Sequence, residues 1–238
     1  MIKKGILYGI GVGPGDPELI PIKAVRILEE VDVIFSASSS KNDHSLALDI
    51  VSRYIPETTP CVLLSFPMTM NRKKAEESWV RHARTVIEEI EKGKSAAFLT
   101  LGDPLTYSTF GYLLKRIEMI APHIKVEVVP GITSYQAAAA ATRTVLVEGE
   151  ESLLLLSGAK GGDHLRRLSE LSDNIVFLKA YKHIKDIVAS LKETGRMESS
   201  LAVSRCGFDD QKVIYNLEEL LNNKPLYWTL IISKRSST

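Results

Sequence analysis

The strongest constraint on this chain is a strand that is cut off abruptly. Ser95 to Leu101 is a run of small and apolar residues, and it stops at Gly102-Asp103-Pro104. An amphipathic stretch from Leu105 to Ile120 follows and reads as a helix. Gly102 removes the Cβ that would keep a ligand from the backbone. Pro104 fixes its own φ and holds Leu105 and Thr106 beyond the strand end. Asp103 is therefore a carboxylate on a stiff turn at the carboxyl end of a strand, the edge where open α/β sheets bind ligands. The plainer alternative makes the triplet an ordinary strand-to-helix turn with Asp103 as the helix cap.

The N-terminal segment repeats the theme. Ile6 to Val12 reads as a strand and runs into Gly9-Ile10-Gly11-Val12-Gly13-Pro14-Gly15-Asp16-Pro17. Four alternate glycines invite a dinucleotide reading, but the G-x-G-x-x-G spacing fails from either starting point. Counted from Gly9 or from Gly11, the third glycine is replaced by Pro14 or Asp16. Pro14 also removes an amide donor, and Asp16 would repel a phosphate. The loop suits close backbone approach to something uncharged or cationic. Asp16-Pro17 predicts a helix start, with Pro21 restarting or kinking it. Asp32–Ala37 and Cys61–Ser65 read as strands and 45–54 as a helix. Ser36 to His44 forms a polar loop at a strand end.

Phe66-Pro67-Met68-Thr69-Met70-Asn71 then leads into Arg72-Lys73-Lys74, which predicts a loop ahead of a helix over 75–92. Three adjacent cations after two methionines fit either a solvated loop or a mobile lid that meets an anionic substrate. Arg166-Arg167, Lys41 and Arg143 are the other cations considered for that role. Lys125–Val129 is a strand ending in Pro130-Gly131-Ile132-Thr133-Ser134, a turn with Thr133 or Ser134 capping a helix over 135–142. That helix holds five consecutive alanines, 137 to 141, which suit close packing rather than exposure.

Val145 to Glu151 reads as a hinge, dividing the chain into domains 1–146 and 147–238. In the second, strands are expected at 152–157, 174–180, 199–204, 211–215 and 226–233, with helices near 163–171, 183–194 and 216–223. The fold class is α/β in two domains. The first carries a mainly parallel sheet, the second a mixed one, with a ligand cleft between them. Lys179-Ala180-Tyr181 and Arg205-Cys206-Gly207 fall at strand ends that such a cleft would use.

Composition narrows the partners. The 238 residues carry a net charge of +1, so no global field recruits nucleic acid or a membrane. Two distant cysteines, Cys61 and Cys206, fit a reducing cytoplasm, and no apolar run reaches membrane-spanning length. The five histidines lack metal-ligand spacing and are expected at the surface, so no metal is expected.

Gly11-Val12-Gly13-Pro14-Gly15-Asp16, Leu101-Gly102-Asp103-Pro104 and Pro130-Gly131-Ile132-Thr133-Ser134 stand in this order, each at a strand end. In that order they resemble the tetrapyrrole methylase family, S-adenosylmethionine-dependent enzymes of sirohaem and cobalamin synthesis. The form Leu-Thr-Leu-Gly-Asp-Pro-Leu-Thr-Tyr-Ser-Thr-Phe over 99–110 looks most like the branch that methylates carbon 20 of precorrin-2 or its cobalt form. The chain departs from the family pattern at Pro21 and at Val145-Leu146.

The resemblance implies a C-methyltransferase whose donor is S-adenosyl-L-methionine and whose product is S-adenosyl-L-homocysteine. It implies a tetrapyrrole substrate and a cytoplasmic homodimer, with no nucleic-acid or membrane partner. Carried over by the motifs, Pro14, Leu101, Gly102, Asp103, Thr106, Thr133 and Ser134 would hold the donor from the first half. Lys179, Ala180, Cys206 and Gly207 would do so from the second. Asp103 and Tyr107 are the nearest candidates for a catalytic base. Methylation of another macrocycle carbon stays open. So does a non-catalytic nucleotide-binding regulatory domain, against which the failed dinucleotide fingerprint argues.

Overall fold

In the computed structural model, which describes residues 5–39, 44–67, 69, 71–222 and 225–235, the first-half strands assemble into one sheet. They are β1 (Ile6–Gly11), β2 (Val33–Ser39), β3 (Cys61–Phe66), β4 (Ala96–Thr100) and β5 (Lys125–Val129). Their order is β3-β2-β4-β1-β5, and every pairing is parallel. β4 lies at the centre with all five residues buried. A strand covered on both faces has no polar side to show, which is why it reads as an unbroken small and apolar run.

The helices are α1 (Ile22–Glu30), α2 (Leu46–Val51), α3 (Arg72–Glu91) and α4 (Thr109–Ile120). α3 buries Ala83, Val86, Ile87 and Ile90 along one stripe, against Phe35, Phe66 and Phe98 from the sheet.

One local expectation holds and two helix starts move. A 3-10 turn covers Pro17–Leu19, capped by Asp16 on the amide of Glu18 at 2.8 Å, and α1 restarts after Pro21, as the two prolines predict. α3 begins at Arg72, with Asn71 accepting from the amide of Lys74 at 3.2 Å, so Arg72, Lys73 and Lys74 form a helix's first turn rather than a loop. α4 begins only at Thr109, because Ser108 caps it through the amide of Phe110 at 3.0 Å, and residues 103–108 remain irregular. His82 also departs from expectation. It is buried on α3 with Nε2 2.8 Å from the carbonyl oxygen of Ser65, its ring beside Phe66.

The second unit is built on β6 (Leu153–Ser157), β7 (Asn174–Leu178), β8 (Ser200–Ser204), β9 (Lys212–Ile214) and β10 (Thr229–Lys234). Their order is β6-β7-β10-β8-β9; β6 and β7 pair in parallel, and the other pairings are antiparallel. Its helices are α5 (Ser134–Thr142), α6 (Asp163–Leu168), α7 (Ile184–Glu193) and α8 (Glu219–Asn222). Alternation along β7 sends Ile175 and Phe177 to the face packed by Ile184, Ile187 and Leu191. Val176 goes to the opposite face.

That opposite face is covered by α5, whose Ala138 and Ala139 lie against Val176, Val203, Leu230 and Ile232. The alanine run therefore packs on the second sheet, and the division by contacts falls between Thr133 and Ser134, not after residue 146. Among the described residues, no helix is long and apolar enough to cross a membrane.

Candidate functional site

The carboxyl edge of the first sheet is made of three glycine turns packed backbone on backbone. The amide of Val12 donates to the carbonyl of Thr100 at 2.9 Å, carrying the β1–β4 pairing one step past the strands. Both chains then turn, and Gly13 and Gly102 form an antiparallel bridge, with the Gly102 amide 2.7 Å from the Gly13 carbonyl. The turn after β5 closes in from the side. A Cβ on Gly131 would stand 2.1 Å from the Gly102 carbonyl oxygen. One on Gly11 would stand 2.6 Å from that oxygen and from the Gly131 nitrogen.

Gly102 itself is different. At φ 71 its side-chain direction meets open space, with the Ile132 carbonyl oxygen the nearest atom at 4.0 Å. Gly11 and Gly131 therefore let the backbone approach itself, and Gly102 presents the open face.

Asp103 holds these turns in register. Its Oδ1 accepts from the Leu105 amide at 2.9 Å and from the Thr106 hydroxyl at 3.2 Å. Its Oδ2 accepts from the Gly131 amide at 3.2 Å, joining the β4 turn to the β5 turn. Capping of α4, the plainer alternative for Asp103, falls to Ser108 instead. Around this clamp, Pro14 is buried, Leu101 and Thr106 are half-buried, and Thr133 is 8% exposed; Ser134, half-buried, opens α5 in the second unit. Tyr107 is exposed and sits at φ 50.

In the second unit, the ends of β7 and β8 flank the start of β10. The Ala180 amide donates to the Thr229 carbonyl at 2.9 Å, and the Arg205 amide to the Trp228 carbonyl at 3.0 Å. Lys179 turns at φ 60 and Arg205 at φ 51, conformations that cost a non-glycine residue about 1–2 kcal/mol. Together with Tyr107 they are three of the four non-glycine residues with positive φ among the described residues, the other being Arg143. Such strain concentrates at ligand sites, and here it coincides with the strand ends singled out from sequence. Ala180 and Cys206 are buried beneath these turns, and Gly207 continues them at φ 83. Burial pushes the Cys206 thiol up to about 11, so it is a protonated packing group and not a nucleophile. The sequence reading left unremarked the aromatic side chains gathered at this same end of the sheet, among them Phe208, Tyr227 and Trp228.

The cations sort by their partners. Arg166 is engaged by Asp163, Asp186 and Glu193, which removes it as a substrate contact. Arg143 is exposed at the end of α5. Lys41, Met68 and Met70 lie outside the described residues. Arg72, Lys73 and Lys74 are exposed and make no ion pair among the described residues. They also sit at the positive end of the α3 dipole, while Glu88, Glu89 and Glu91 occupy its negative end, the reverse of the favourable arrangement. Among the described residues, no group of three or more His, Cys, Asp or Glu side chains could hold a metal ion.

Comparison with known proteins agrees with this architecture. The family described as Tetrapyrrole (Corrin/Porphyrin) Methylases matches residues 6–221. The cobalt-precorrin-2 C(20)-methyltransferase of Salmonella typhimurium is 33% identical over 97% of this chain and 97% of its own. The X-ray structure of a cobalt precorrin-4 methyltransferase shares the fold at a TM-score of 0.75 and 22% identity, over 96% of this chain and 94% of that one. So does the uroporphyrin-III C-methyltransferase of Thermus thermophilus complexed with S-adenyl homocysteine, at 0.67 and 23%, over 96% and 97%. On a family match that spans almost the whole sequence and a full-length relative at one-third identity, this chain belongs to the tetrapyrrole (corrin/porphyrin) methylases.

Proposed function

We propose that the protein transfers the methyl group of S-adenosyl-L-methionine to carbon 20 of precorrin-2 or of its cobalt form, in cobalamin biosynthesis. The observation that carries this reading is the Gly102 turn: the one open glycine in a packed triple turn, in a chain related over its full length to a C20-methyltransferase. The donor supplies a methyl group on a sulfonium, a good leaving group. The chain's task is then positioning, with reacting atoms held roughly 3–3.5 Å apart.

Pro14, Leu101, Gly102, Asp103, Thr106 and Thr133 are proposed donor contacts in the first unit, and Ser134, Lys179, Ala180, Cys206 and Gly207 in the second. Asp103 acts by fixing the turns, since both of its oxygens are engaged by protein donors. Of the two candidate bases, this leaves Tyr107, exposed at the same edge. A cytoplasmic homodimer working without nucleic acid completes the reading.

Incubation with cobalt-precorrin-2 and isotopically labelled donor should give one methylated product, and its NMR spectrum should place the new methyl on carbon 20. A methyl on another carbon would replace the substrate assignment. S-adenosyl-L-homocysteine should raise the melting temperature by mass action while NAD leaves it unchanged. The amides of Gly13 and Gly102 face each other's carbonyls and are not free to cradle a pyrophosphate.

Asp103→Asn puts an amide group opposite the Gly131 N–H, or exchanges that clash for one with Leu105. It should weaken S-adenosyl-L-homocysteine binding by about 1–3 kcal/mol, the range for losing a charge-assisted hydrogen bond. Calorimetry showing wild-type affinity would reduce Asp103 to a loop clamp with no bearing on the donor.

Replacing Arg72, Lys73 and Lys74 together by glutamine should raise the macrocycle's KM and leave donor affinity alone. The same variant should gain slightly in stability at low salt, because each exposed cation at a helix N-terminus costs about 0.3–1 kcal/mol. If the cations do not meet the substrate, stability rises and KM stays put, which would end the lid hypothesis.

A further inference from the structure

The loop after β8 is tied down at every point but one. Residues 205–208 form a turn, closed by the Phe208 amide on the Arg205 carbonyl at 3.1 Å, with Cys206 and Gly207 at its centre. Gly207 sits at φ 83, the left-handed position that a type II turn requires of its third residue. Its amide donates to Oε1 of Gln211 at 2.8 Å, and the Gln211 amide donates to the Phe208 carbonyl at 2.9 Å. The Cys206 side chain belongs to the apolar cluster of Val176, Val203, Leu230 and Ile232. The exception is the main chain of Cys206. The residue is only 5% exposed, yet neither its amide nor its carbonyl has a hydrogen-bond partner among the described residues. Buried main-chain groups are nearly always paired, so a bare donor and acceptor at a strand end point to a ligand.

Arg205 sets their direction. Its backbone adopts φ 51, which an arginine keeps only where its surroundings enforce it. Its amide donates to the Trp228 carbonyl at 3.0 Å. Its guanidinium lies 4.5 Å from the Phe208 ring centroid and 5.3 Å from that of Trp228, and its Nε donates to Asp210 at 2.5 Å. These contacts tie residues 208, 210 and 228 to the residue that opens the turn. The side chain is only 23% exposed and is held by these partners, so it acts through its neighbour and not on a ligand directly.

We propose that Arg205 is a positioning residue for the methyl donor: by clamping its own turn, it aims the Cys206 amide and carbonyl at the donor. The proposal rests on the function given above and adds a side chain that neither the motifs nor the family match assign. The paired groups select the ligand. A donor and an acceptor side by side complement an adenine edge or the termini of an amino acid, which carry both. The carboxylates on the rim of the macrocycle only accept, and the Cys206 carbonyl would repel them.

The test measures S-adenosyl-L-homocysteine affinity by calorimetry in the full chain, in Arg205→Asn, Arg205→Lys, Asp210→Asn and the Arg205→Asn/Asp210→Asn pair. Asparagine accepts positive φ but has no guanidinium. Arg205→Asn should therefore bind about tenfold more weakly while melting within about 3 °C of wild type. Its KM for cobalt-precorrin-2 at saturating donor should not change. Lysine keeps the charge for Asp210 but has no flat face for the two rings, so Arg205→Lys should recover only part of the affinity. Asp210→Asn alone should weaken binding about threefold and add nothing once Arg205 is gone. Wild-type affinity in Arg205→Asn would overturn the proposal, and so would an Asp210→Asn loss that persists undiminished in the pair. A fall in melting temperature that tracks the loss of affinity across all four variants would make Arg205 an element of the fold alone, and would overturn it too. A wild type that binds no S-adenosyl-L-homocysteine refutes the function itself and the proposal with it, whereas wild-type binding with unchanged variants refutes the proposal alone.

Discussion

Gly131→Ala is expected to cost about 3 kcal/mol and to lower the melting temperature by roughly 6–12 °C. The added methyl would lie 2.1 Å from the Gly102 carbonyl oxygen and 2.8 Å from Cα and carbonyl carbon of Gly11. Neither neighbour is the tip of a flexible side chain. Both are backbone, held by the β1–β4 pairing and the Gly13–Gly102 bridge. Relief therefore requires the β5 turn to move away, which breaks the hydrogen bond from the Gly131 amide to Asp103.

Gly111→Ala is the matched control. It changes the same atoms inside α4, where the new Cβ meets nothing within 4 Å, and it should stabilise by about 0.5–1 kcal/mol. Two alanine substitutions thus carry opposite signs for a stated reason, and thermal unfolding reads both. A wild-type melting temperature for Gly131→Ala would mean that the three turns are not packed against one another.

Most of the fold was legible because burial imposes a period. The central strand shows as an unbroken small and apolar run because both its faces are covered, and α3 shows as a stripe because only one of its faces is. Helix starts were less legible. The sequence places α4 at Leu105 on hydrophobicity, but Ser108 supplies the cap, and a single hydroxyl outweighs the apolar residues ahead of it. The alanine run was seen as a close-packing helix, but a linear pattern carries no address. Nothing in five alanines says which sheet they pack on, so the boundary was drawn after them instead of before.

The strand-end positions of the candidate residues were legible, and the structural roles of those residues less so. Glycines at 9, 11, 102 and 131 look alike in sequence, each a missing side chain. In the structure Gly9 makes room for the Phe110 ring, Gly11 and Gly131 admit neighbouring backbone, and only Gly102 is open. That distinction is set by residues far apart in the chain. The same holds for Asp103, whose partner at Gly131 is 28 positions away.

Gly102 separates the site from the fold, and its substitution should have the largest effect on ligand binding. Gly102→Asn is the informative variant, because asparagine tolerates positive φ better than other side chains and adds little strain at φ 71. Its side chain enters open space, so the ligand-free protein should melt within about 2 °C of wild type. If the donor lies against this turn, that same side chain occupies its place. Affinity for S-adenosyl-L-homocysteine should fall at least about 100-fold, or roughly 2.7 kcal/mol, and its thermal shift should vanish. Gly102→Val blocks the same space but adds β-branched strain in a left-handed conformation, so it should lose both affinity and stability. The comparison makes the cause readable: equal loss of affinity in the two variants assigns it to occupied space, since only one of them is strained. Wild-type affinity in Gly102→Asn would show that the open face at Gly102 is not where the donor binds, and the site would have to be sought at another strand end.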